Sequence, residues 1–262
     1  MGKRIFTGAV AMLLFIPVLY FSDSIAFPIV LGLLSGIAFY EFAVCAGFTG
    51  NKLFAVSPII VLSALLPILA RNGQQWLVII GLSVFVYLLF LFVLGHGRIE
   101  VPSVTALFFG FVYAGVSFAL LVMVRDRVPE RYLLIFIAAW CTDTFAYFGG
   151  RLFGDRKLCP SLSPKKTIAG AVSGVIGAII GFAVFGLIIV SFGGGFPFWK
   201  YCLIAIPASV AAQLGDLAAS AIKRHYVIKD YGSIFPGHGG VLDRFDSILP
   251  LSVGAFLVLS LI

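Results

Sequence analysis

Residues 199–246 read WKYCLIAIPASVAAQLGDLAASAIKRHYVIKDYGSIFPGHGGVLDRFD. The first half, up to Ile222, is an apolar run of the length that a helix needs to cross a bilayer, about 20 residues. The second half contains Pro-Gly-His-Gly-Gly at 236–240, which cannot form a regular helix and lets backbone approach a ligand closely. The charged side chains around it are Lys223, Arg224, Lys229, Arg244, Asp230, Asp243 and Asp246. This stretch predicts a membrane helix that leads directly into a site for phosphate and a divalent metal.

The rest of the chain has the composition of a membrane scaffold. Of its 262 residues, 61% are hydrophobic and 11% are charged, and the mean hydropathy is +1.12. Soluble domains carry about 25% charged residues, so an ordinary soluble domain is excluded. The apolar runs are continuous rather than short and alternating, which favours helices over a transmembrane β-barrel. We therefore predict an all-α polytopic membrane protein.

Nine apolar runs predict about nine transmembrane helices. The first run follows Lys3 and Arg4 and resembles a signal peptide, but further spans follow at once, so we interpret it as an uncleaved helix. The predicted spans are 5–21, 25–45, 53–70, 75–94, 103–123, 132–149, 168–191, 199–222 and 245–262. We expect residues 1–130 to form a scaffold that could supply homodimer contacts, and residues 131–262 to form the catalytic region.

The distribution of basic residues orients these spans. With the N-terminus inside, thirteen Lys and Arg residues fall on the N-terminal side of the membrane and five on the other. The positive-inside rule therefore predicts a cytoplasmic N-terminus, with the basic loops 150–167 and 223–244 also cytoplasmic. The arginines of loop 124–131 are the exception, and we expect Asp126 and Glu130 to pair with them.

Three carboxylates lie within predicted spans, where ionisable groups are costly and usually functional. Glu41 is near the end of its span, which favours an interfacial or hydrogen-bonded carboxylate. Asp143 and Asp216 are each followed by a basic cytoplasmic loop. The polar residues of the 199–222 span and its end form a single stripe at helical spacing, namely Gln213, Asp216, Ser220 and Lys223. This stripe predicts that the span carries part of the site.

Asp216, Asp243 and Asp246 are candidate ligands of one cation. If Asp243 and Asp246 begin the last span, they share a helix face and come close to Asp216 at the cytoplasmic end of its own span. Carboxylate oxygens suit Mg²⁺, which keeps waters and completes its shell with phosphate oxygens. The alternative is a structural ion-pair network of these carboxylates with Arg224 or Arg244.

A second polar segment, Ser163-Pro164-Lys165-Lys166-Thr167, precedes the 168–191 span. Its two hydroxyls and two ammonium groups beside a helix N-terminus predict an anion site. The alternative is a positive-inside anchor with a helix N-cap. Within the following span, the small-xxx-small spacing of its glycines predicts close helix packing; they are Gly170, Gly174, Gly177 and Gly181.

The net charge of +7 fits an anionic lipid or a polyanionic substrate. It does not indicate nucleic acid, because the chain has no basic helix and no aromatic-basic platform. We do not assign His238 as a general base, since a phosphate monoester is largely ionised at neutral pH, with a second pKa of about 6. We expect His238 to donate a hydrogen bond to phosphate or to orient its loop.

Two blocks of polar residues resemble the signature of CTP:phosphatidate cytidylyltransferases (CDP-diacylglycerol synthases). The first is Ser220-x-x-Lys223-Arg224-x₄-Lys229-Asp230-x₅-Pro236-Gly237-His238-Gly239-Gly240-x-x-Asp243-Arg244-x-Asp246. The second is Asp143-x-x-Ala146-Tyr147-x-x-Gly150-Arg151, followed by Lys157-Leu158 and Ser163-Pro164-x-Lys166-Thr167. One departure is Ile168-Ala169-Gly170, where the family commonly has Glu or Gln at the middle position.

The resemblance implies a Mg²⁺-dependent enzyme of the bacterial inner membrane, often dimeric, that makes CDP-diacylglycerol and pyrophosphate from CTP and phosphatidate. It implies that Asp216 and Asp243 hold metal, with Asp246 and Asp143 as alternative ligands or as residues that support the ligands. A second cation is compatible with the same set. The basic residues implied to bind the triphosphate and the lipid phosphate are Lys223, Arg224, Lys229, Arg244, Lys165 and Lys166. The residues implied to shape the nucleotide loop are Asp230, His238, Gly239 and Gly240, and Ser163, Thr167 and Ser220 belong to the same motifs.

Two other functions are compatible with the residues. A CTP-dependent lipid-alcohol kinase would use similar groups but would transfer the γ-phosphoryl group. A secondary transporter would use Asp143 and Asp216 to bind coupling ions. Transporters tend to have paired repeats and sites at the membrane midplane, whereas the polar groups here collect at one membrane face.

Overall fold

The computed structural model describes residues 13–95, 99–193, 196–235, 237 and 239–261. The helices are α1 (13–20), α2 (Ala26–Cys45), α3 (Asn51–Ala70), α4 (Gln75–Leu94), α5 (Val101–Phe111), α6 (Ser117–Arg127), α7 (Leu133–Phe153), α8 (Ile168–Ser191), α9 (Phe198–His225), α10 (Leu242–Phe245) and α11 (Ile248–Leu261). A π-helical turn, Val112–Val116, joins α5 to α6. The two strands are β1 (Lys157–Cys159) and β2 (Ser163–Thr167).

Seven helical stretches of the described chain are long and apolar enough to cross a membrane. They are α2, α3, α4, the continuous stretch Val101–Arg127, α7, α8 and α9. The all-α polytopic class is therefore confirmed, and each stretch overlaps a predicted span. The count of nine stays a prediction, because α11 has only 14 residues and the first predicted span, 5–21, lies partly outside the described residues.

The last predicted span begins later than expected. Asp243 lies in the four-residue helix α10, and Asp246 lies in the segment between α10 and α11. The two carboxylates therefore precede the last membrane helix instead of forming its first turn. This geometry is set locally by the hydrogen bonds of the 231–242 loop and by Gly239, whose φ is +84°. The spacing of apolar residues cannot indicate such contacts.

The segment 150–167 was predicted as a loop, but most of it belongs to the end of a helix and to a β-hairpin. Helix α7 continues to Phe153, and β1 and β2 form an antiparallel hairpin in which Lys157 pairs with Thr167 and Cys159 with Ser163. Short polar strands have no apolar alternation to predict them. The hairpin carries the basic segment 163–167 to the start of α8.

Helices α7 and α8 pack along a seam of glycines. A Cβ atom at Gly177 would collide with the ring of Phe145, and one at Gly181 would lie 2.7 Å from Sγ of Cys141. A Cβ atom at Gly170 would lie 2.8 Å from the carbonyl oxygen of Ala146. The predicted role of these glycines in close helix packing is confirmed.

An ionic cluster ties together helix ends from the first half of the chain. Arg125, which is 5% exposed, pairs with Asp23 and with Asp126, the latter at 3.0 Å. Arg71 lies 3.8 Å from Asp126 and donates to the carbonyl oxygen of Ser24 at 2.7 Å. The expected pairing of Asp126 is confirmed, whereas the expected pairing of Glu130 is wrong, because no ion pair of Glu130 occurs among the described residues. The arginines that ran against the charge asymmetry are therefore partly neutralised.

Candidate active site

The first two residues of the polar stripe on α9, Gln213 and Asp216, face α8 and the β-hairpin. Gln213 Nε2 donates to the carbonyl oxygen of Ala171 at 3.2 Å and to Ser209 Oγ at 3.3 Å. One turn further along α9, Asp216 Oδ2 lies 2.6 Å from Lys166 Nζ on β2. The stripe predicted from the sequence therefore joins α9 to the two elements beside it.

The N-terminus of α8 is capped by Thr167. Its Oγ1 accepts a hydrogen bond from the backbone N–H of Gly170 at 3.1 Å, which satisfies one of the amides that a helix start leaves unpaired. Thr167 is buried, whereas Lys165 is exposed and Lys166 is partly exposed. The N-cap of that alternative is therefore confirmed, whereas the positive-inside anchor and the anion site stay predictions. Both lysines lie beside the helix start, where an anion is favoured.

A cavity of about 400 Å³ lies between α7, the hairpin, α8 and α9. Five predicted site residues line it: Asp143, Lys165, Lys166, Thr167 and Asp216. The wall also includes Tyr147, Arg151 and Leu158 of the motif and Gln213 of the polar stripe, to which the sequence assigned no individual role, and Thr142. Tyr147 and Arg151 follow Asp143 at intervals of four residues, so helical spacing places all three on one face of α7.

Asp243 lies in a second cluster, formed by the loop that follows α9. Its Oδ1 accepts from Lys223 Nζ at 2.7 Å, and its Oδ2 accepts from the backbone N–H groups of Tyr231 at 2.8 Å and Gly240 at 2.9 Å. Asp243 is 7% exposed. Both carboxylate oxygens therefore have protein donors, and Lys223 pairs with Asp243 in place of the Arg224 or Arg244 that the ion-pair alternative named.

Asp246 connects the two clusters. Its Oδ1 accepts from the backbone N–H of Ser247 at 2.8 Å, and its carbonyl oxygen packs against Gly215, the neighbour of Asp216. Burial and the negative charge of Asp216 raise the pKa of Asp246 above its usual range, against an opposing effect of Lys223. A cation bound near these two carboxylates would offset their mutual repulsion.

Within the described part of the chain, no three Asp, Glu, His or Cys side chains converge closely enough to form a metal site by themselves. Two carboxylates, Asp216 and Asp246, remain a sufficient protein contribution for Mg²⁺, which commonly takes one or two carboxylates plus waters and substrate phosphates. Asp243 Oδ1 would first have to release Lys223. Asp216 Oδ2 would likewise have to release Lys166, which lies 2.6 Å away. The carboxylates are of the type that Mg²⁺ prefers, and the ligand set of Asp216, Asp243 and Asp246 stays a prediction.

The remaining predicted residues lie on the rim of this region or away from it. Lys229, Asp230, Arg224 and Arg244 are exposed, and Arg224 Nη1 donates to the carbonyl oxygen of Ile228 at 3.2 Å. Ser163 and Ser220 are partly exposed and do not line the cavity. Gly239 backs directly onto Asp243, with a Cβ atom there placed 2.7 Å from Oδ2. His238 lies outside the described residues.

Two residues near the site were not among the predicted site residues, although the sequence favoured an interfacial or hydrogen-bonded carboxylate for one of them, Glu41, and its hydrogen bonding is confirmed. Glu41 of α2 is buried and accepts hydrogen bonds from the backbone N–H groups of Val241 and Leu242, at 3.0 and 2.9 Å. Tyr113 lies in the π-helical turn, a feature often found at functional sites, and its buried hydroxyl has no partner among the described residues. The position of Glu41 within an apolar span was a signal for the first, and the sequence has no signal for the π-helical turn.

The comparisons with known proteins agree with the motifs. The sequence matches the Cytidylyltransferase family over residues 2–262. It is 34% identical to the phosphatidate cytidylyltransferase of Staphylococcus saprophyticus over 259 residues, which is 96% of this chain and 97% of that protein. It is 33% identical to the phosphatidate cytidylyltransferase of Bacillus subtilis over 271 residues, which is 100% of this chain and 98% of that protein. The resemblance seen in the motifs is confirmed, and the chain belongs to the cytidylyltransferase family.

Proposed function

We propose that this chain is a phosphatidate cytidylyltransferase, which transfers CMP from CTP to phosphatidic acid and releases pyrophosphate. The names of the relatives that match nearly its whole length support this activity. The structural observation that carries it is the cavity between α7, the hairpin, α8 and α9, where Lys166 and Asp216 face the same space. The cavity therefore places an ammonium group that would bind phosphate beside a carboxylate that would bind metal, within a bundle of membrane helices.

The surroundings of the cavity suit a lipid phosphate. The outer faces of α7 and α8 beside it are apolar and exposed, including Phe148, Leu152 and Val172. In a bilayer these faces contact lipid, so the acyl chains of phosphatidate can stay in the membrane while its phosphate reaches Lys165 and Lys166. The exposed cations after α9, Lys229 and Arg244 among them, would meet the triphosphate of CTP from the aqueous side.

Asp216 and Asp246 would hold Mg²⁺, and a second cation is compatible with Asp143, which lines the same cavity. When bound, Mg²⁺ would offset negative charge on the triphosphate and on the pyrophosphate as it leaves. Lys166 is paired with Asp216 in this structure. If a substrate phosphate replaced Asp216 as the partner of Lys166, the ammonium group would stabilise negative charge on the reacting phosphates.

The reaction needs charge neutralisation and alignment more than a general base. The phosphate of phosphatidate is a monoester with a second pKa of about 6, so its oxygen is already a nucleophile at neutral pH. That oxygen forms a bond to the α-phosphorus of CTP, while the bond from the α-phosphorus to the bridging oxygen of pyrophosphate breaks. Lys166 and Lys223 stabilise the added charge, and Asp143 and Asp216 fix the positions of the groups around it.

We also propose where this reaction takes place. The protein is multi-pass, and the positive-inside asymmetry supports a bacterial inner-membrane location with the site facing the cytoplasm, where CTP is found. A homodimer, with contacts from residues 1–130, is consistent with the exposed apolar surface of α4, which includes Phe85 and Leu89.

The test is a transfer assay with purified protein in detergent, phosphatidate, Mg²⁺ and CTP labelled at the α-phosphorus. Label should move into the lipid fraction on thin-layer chromatography, and EDTA should abolish the transfer. Pyrophosphate should appear in equal amount. Label that stays in water as CDP would support a lipid-alcohol kinase instead, and intact CTP under all conditions would overturn the proposal.

A further inference from the structure

Glu41 links two parts of the sequence that are 200 residues apart. It lies near the end of α2 and is 2% exposed. Its Oε1 accepts from the backbone N–H of Val241 at 3.0 Å, and its Oε2 accepts from that of Leu242 at 2.9 Å. Both oxygens of this carboxylate are therefore used to bind the loop that carries Asp243.

The contact satisfies both partners. A buried carboxylate is costly unless it is hydrogen-bonded, and bonds from backbone N–H groups to a charged oxygen are stronger than neutral ones. Val241 and Leu242 stand at the start of α10, where backbone N–H groups have no acceptor within the helix. Asp243 binds the preceding amide, Gly240 N–H, through its own Oδ2. Two buried carboxylates thus accept hydrogen bonds from three successive backbone N–H groups of one loop.

Glycines allow the loop to close around Glu41. A Cβ atom at Gly232 or at Gly240 would collide with the Glu41 carboxylate. Neither glycine has the positive φ that would itself require glycine, so the close approach to Glu41 is what excludes a side chain at these two positions. The loop is therefore shaped to this carboxylate from both of its ends.

We infer that Glu41 is a positioning residue for catalysis, a role that rests on the proposed function. It lines no part of the cavity and acts through the 231–242 loop, which sets Asp243 and, through Asp243, the ammonium group of Lys223. Loss of the carboxylate leaves the loop in alternative arrangements, in which Asp243 no longer holds the ammonium group of Lys223 in place. Only those enzyme molecules whose loop is in place catalyse the transfer.

The first test is Glu41→Gln, which keeps the shape but turns an NH₂ group toward a backbone N–H. We expect kcat to fall at least tenfold, while the KM for phosphatidate stays within twofold, because the lipid phosphate binds at the cavity. Tryptic cleavage after the exposed Lys229 should accelerate at least fivefold. Glu100→Gln, the same change on an exposed carboxylate, is the control and should alter neither quantity.

The second test is a double-mutant cycle that uses the close approach of Gly232 to Glu41. Gly232→Ala alone should reduce kcat, because the new methyl group displaces the carboxylate. In a Glu41→Ala background the space is open, so Gly232→Ala should change kcat by less than twofold. Additive effects of the two substitutions, or a Glu41→Gln enzyme with full kcat and unchanged cleavage, would overturn the inference.

These readouts also separate the inference from the proposed function. If the unmodified enzyme transfers no CMP, the function fails, and the rate of cleavage after Lys229 still reports on Glu41 and its loop. If the unmodified enzyme is active and Glu41→Gln matches it in both kcat and cleavage, the function stands and the positioning role of Glu41 is rejected.

Discussion

Lys166 and Asp216 join the β-hairpin to α9 through an ion pair of 2.6 Å in the wall of the cavity. Both side chains are partly exposed, so the pair itself adds little to stability, about 0–1 kcal/mol. Its importance is positional, since it keeps one cation and one carboxylate directed at the same space. In the proposed reaction the same two groups separate to meet a phosphate and a metal.

Lys166→Met should therefore reduce activity far more than stability. We expect kcat/KM to fall by about 100-fold or more, as is typical when a charge-stabilising group is removed. The melting temperature in detergent should change by no more than a few degrees. Lys52→Met, the same change on an exposed lysine at the start of α3, is the control and should leave both quantities unchanged. Equal activity of the two variants would remove Lys166 from the proposed mechanism.

Asp243→Asn should abolish turnover in a protein that still inserts and folds, but at lower stability. The change leaves Lys223 without its anion and turns an NH₂ group toward backbone amides. Breaking a buried ion pair from one side costs about 3–5 kcal/mol. Thermal unfolding and the transfer assay measure the two effects.

A double variant separates the role of Asp243 in stability from its role in catalysis. Asp243→Asn combined with Lys223→Met removes the uncompensated cation, so much of the lost stability should return while turnover remains absent. Recovery of turnover in the double variant would show that Asp243 serves only to neutralise Lys223.

Thr167→Ala should destabilise the start of α8. It removes the acceptor for the Gly170 N–H, and loss of an N-cap costs about 1 kcal/mol. Thr167→Ser keeps the hydroxyl oxygen and should retain most of the stability. Chemical or thermal unfolding of the two variants provides the comparison, and equal stability of both would contradict the capping role.

Gly177→Ala should disturb the packing of α7 against α8. The added methyl group would collide with the ring of Phe145, and overpacking of this kind costs about 1–3 kcal/mol. Gly81→Ala in α4 is the matched control, because its new methyl group would have no neighbour within 4 Å. A Gly177→Ala protein as stable as the Gly81→Ala protein would argue against the glycine seam.

Much of the fold could be predicted because its cause is local in the sequence. Each membrane helix is an apolar run, and the stripe on α9 follows from helical spacing of Gln213 and Asp216. The glycine seam was also predictable, since small residues at four-residue spacing usually indicate close helix packing. The Thr167 cap was one of two interpretations that the sequence left open for the 163–167 segment.

The contacts that the sequence did not indicate are those between distant segments. Nothing near Glu41 indicates that its partners are the amides of Val241 and Leu242, because backbone donors have no sequence signature. For the same reason Asp243 was expected to bind metal directly, whereas its oxygens are occupied by two backbone amides and Lys223. Its assignment as a metal ligand stays a prediction.

The bond between Glu41 and its loop also bears on how the protein is made. Glu41 leaves the ribosome 200 residues before Val241, a delay of about 10–40 s at ~5–20 residues per second. Through that interval its carboxylate belongs to an apolar segment whose permanent hydrogen-bond donors do not yet exist. The pairing of the Glu41 carboxylate with these amides can therefore form only after translation has passed the end of the loop.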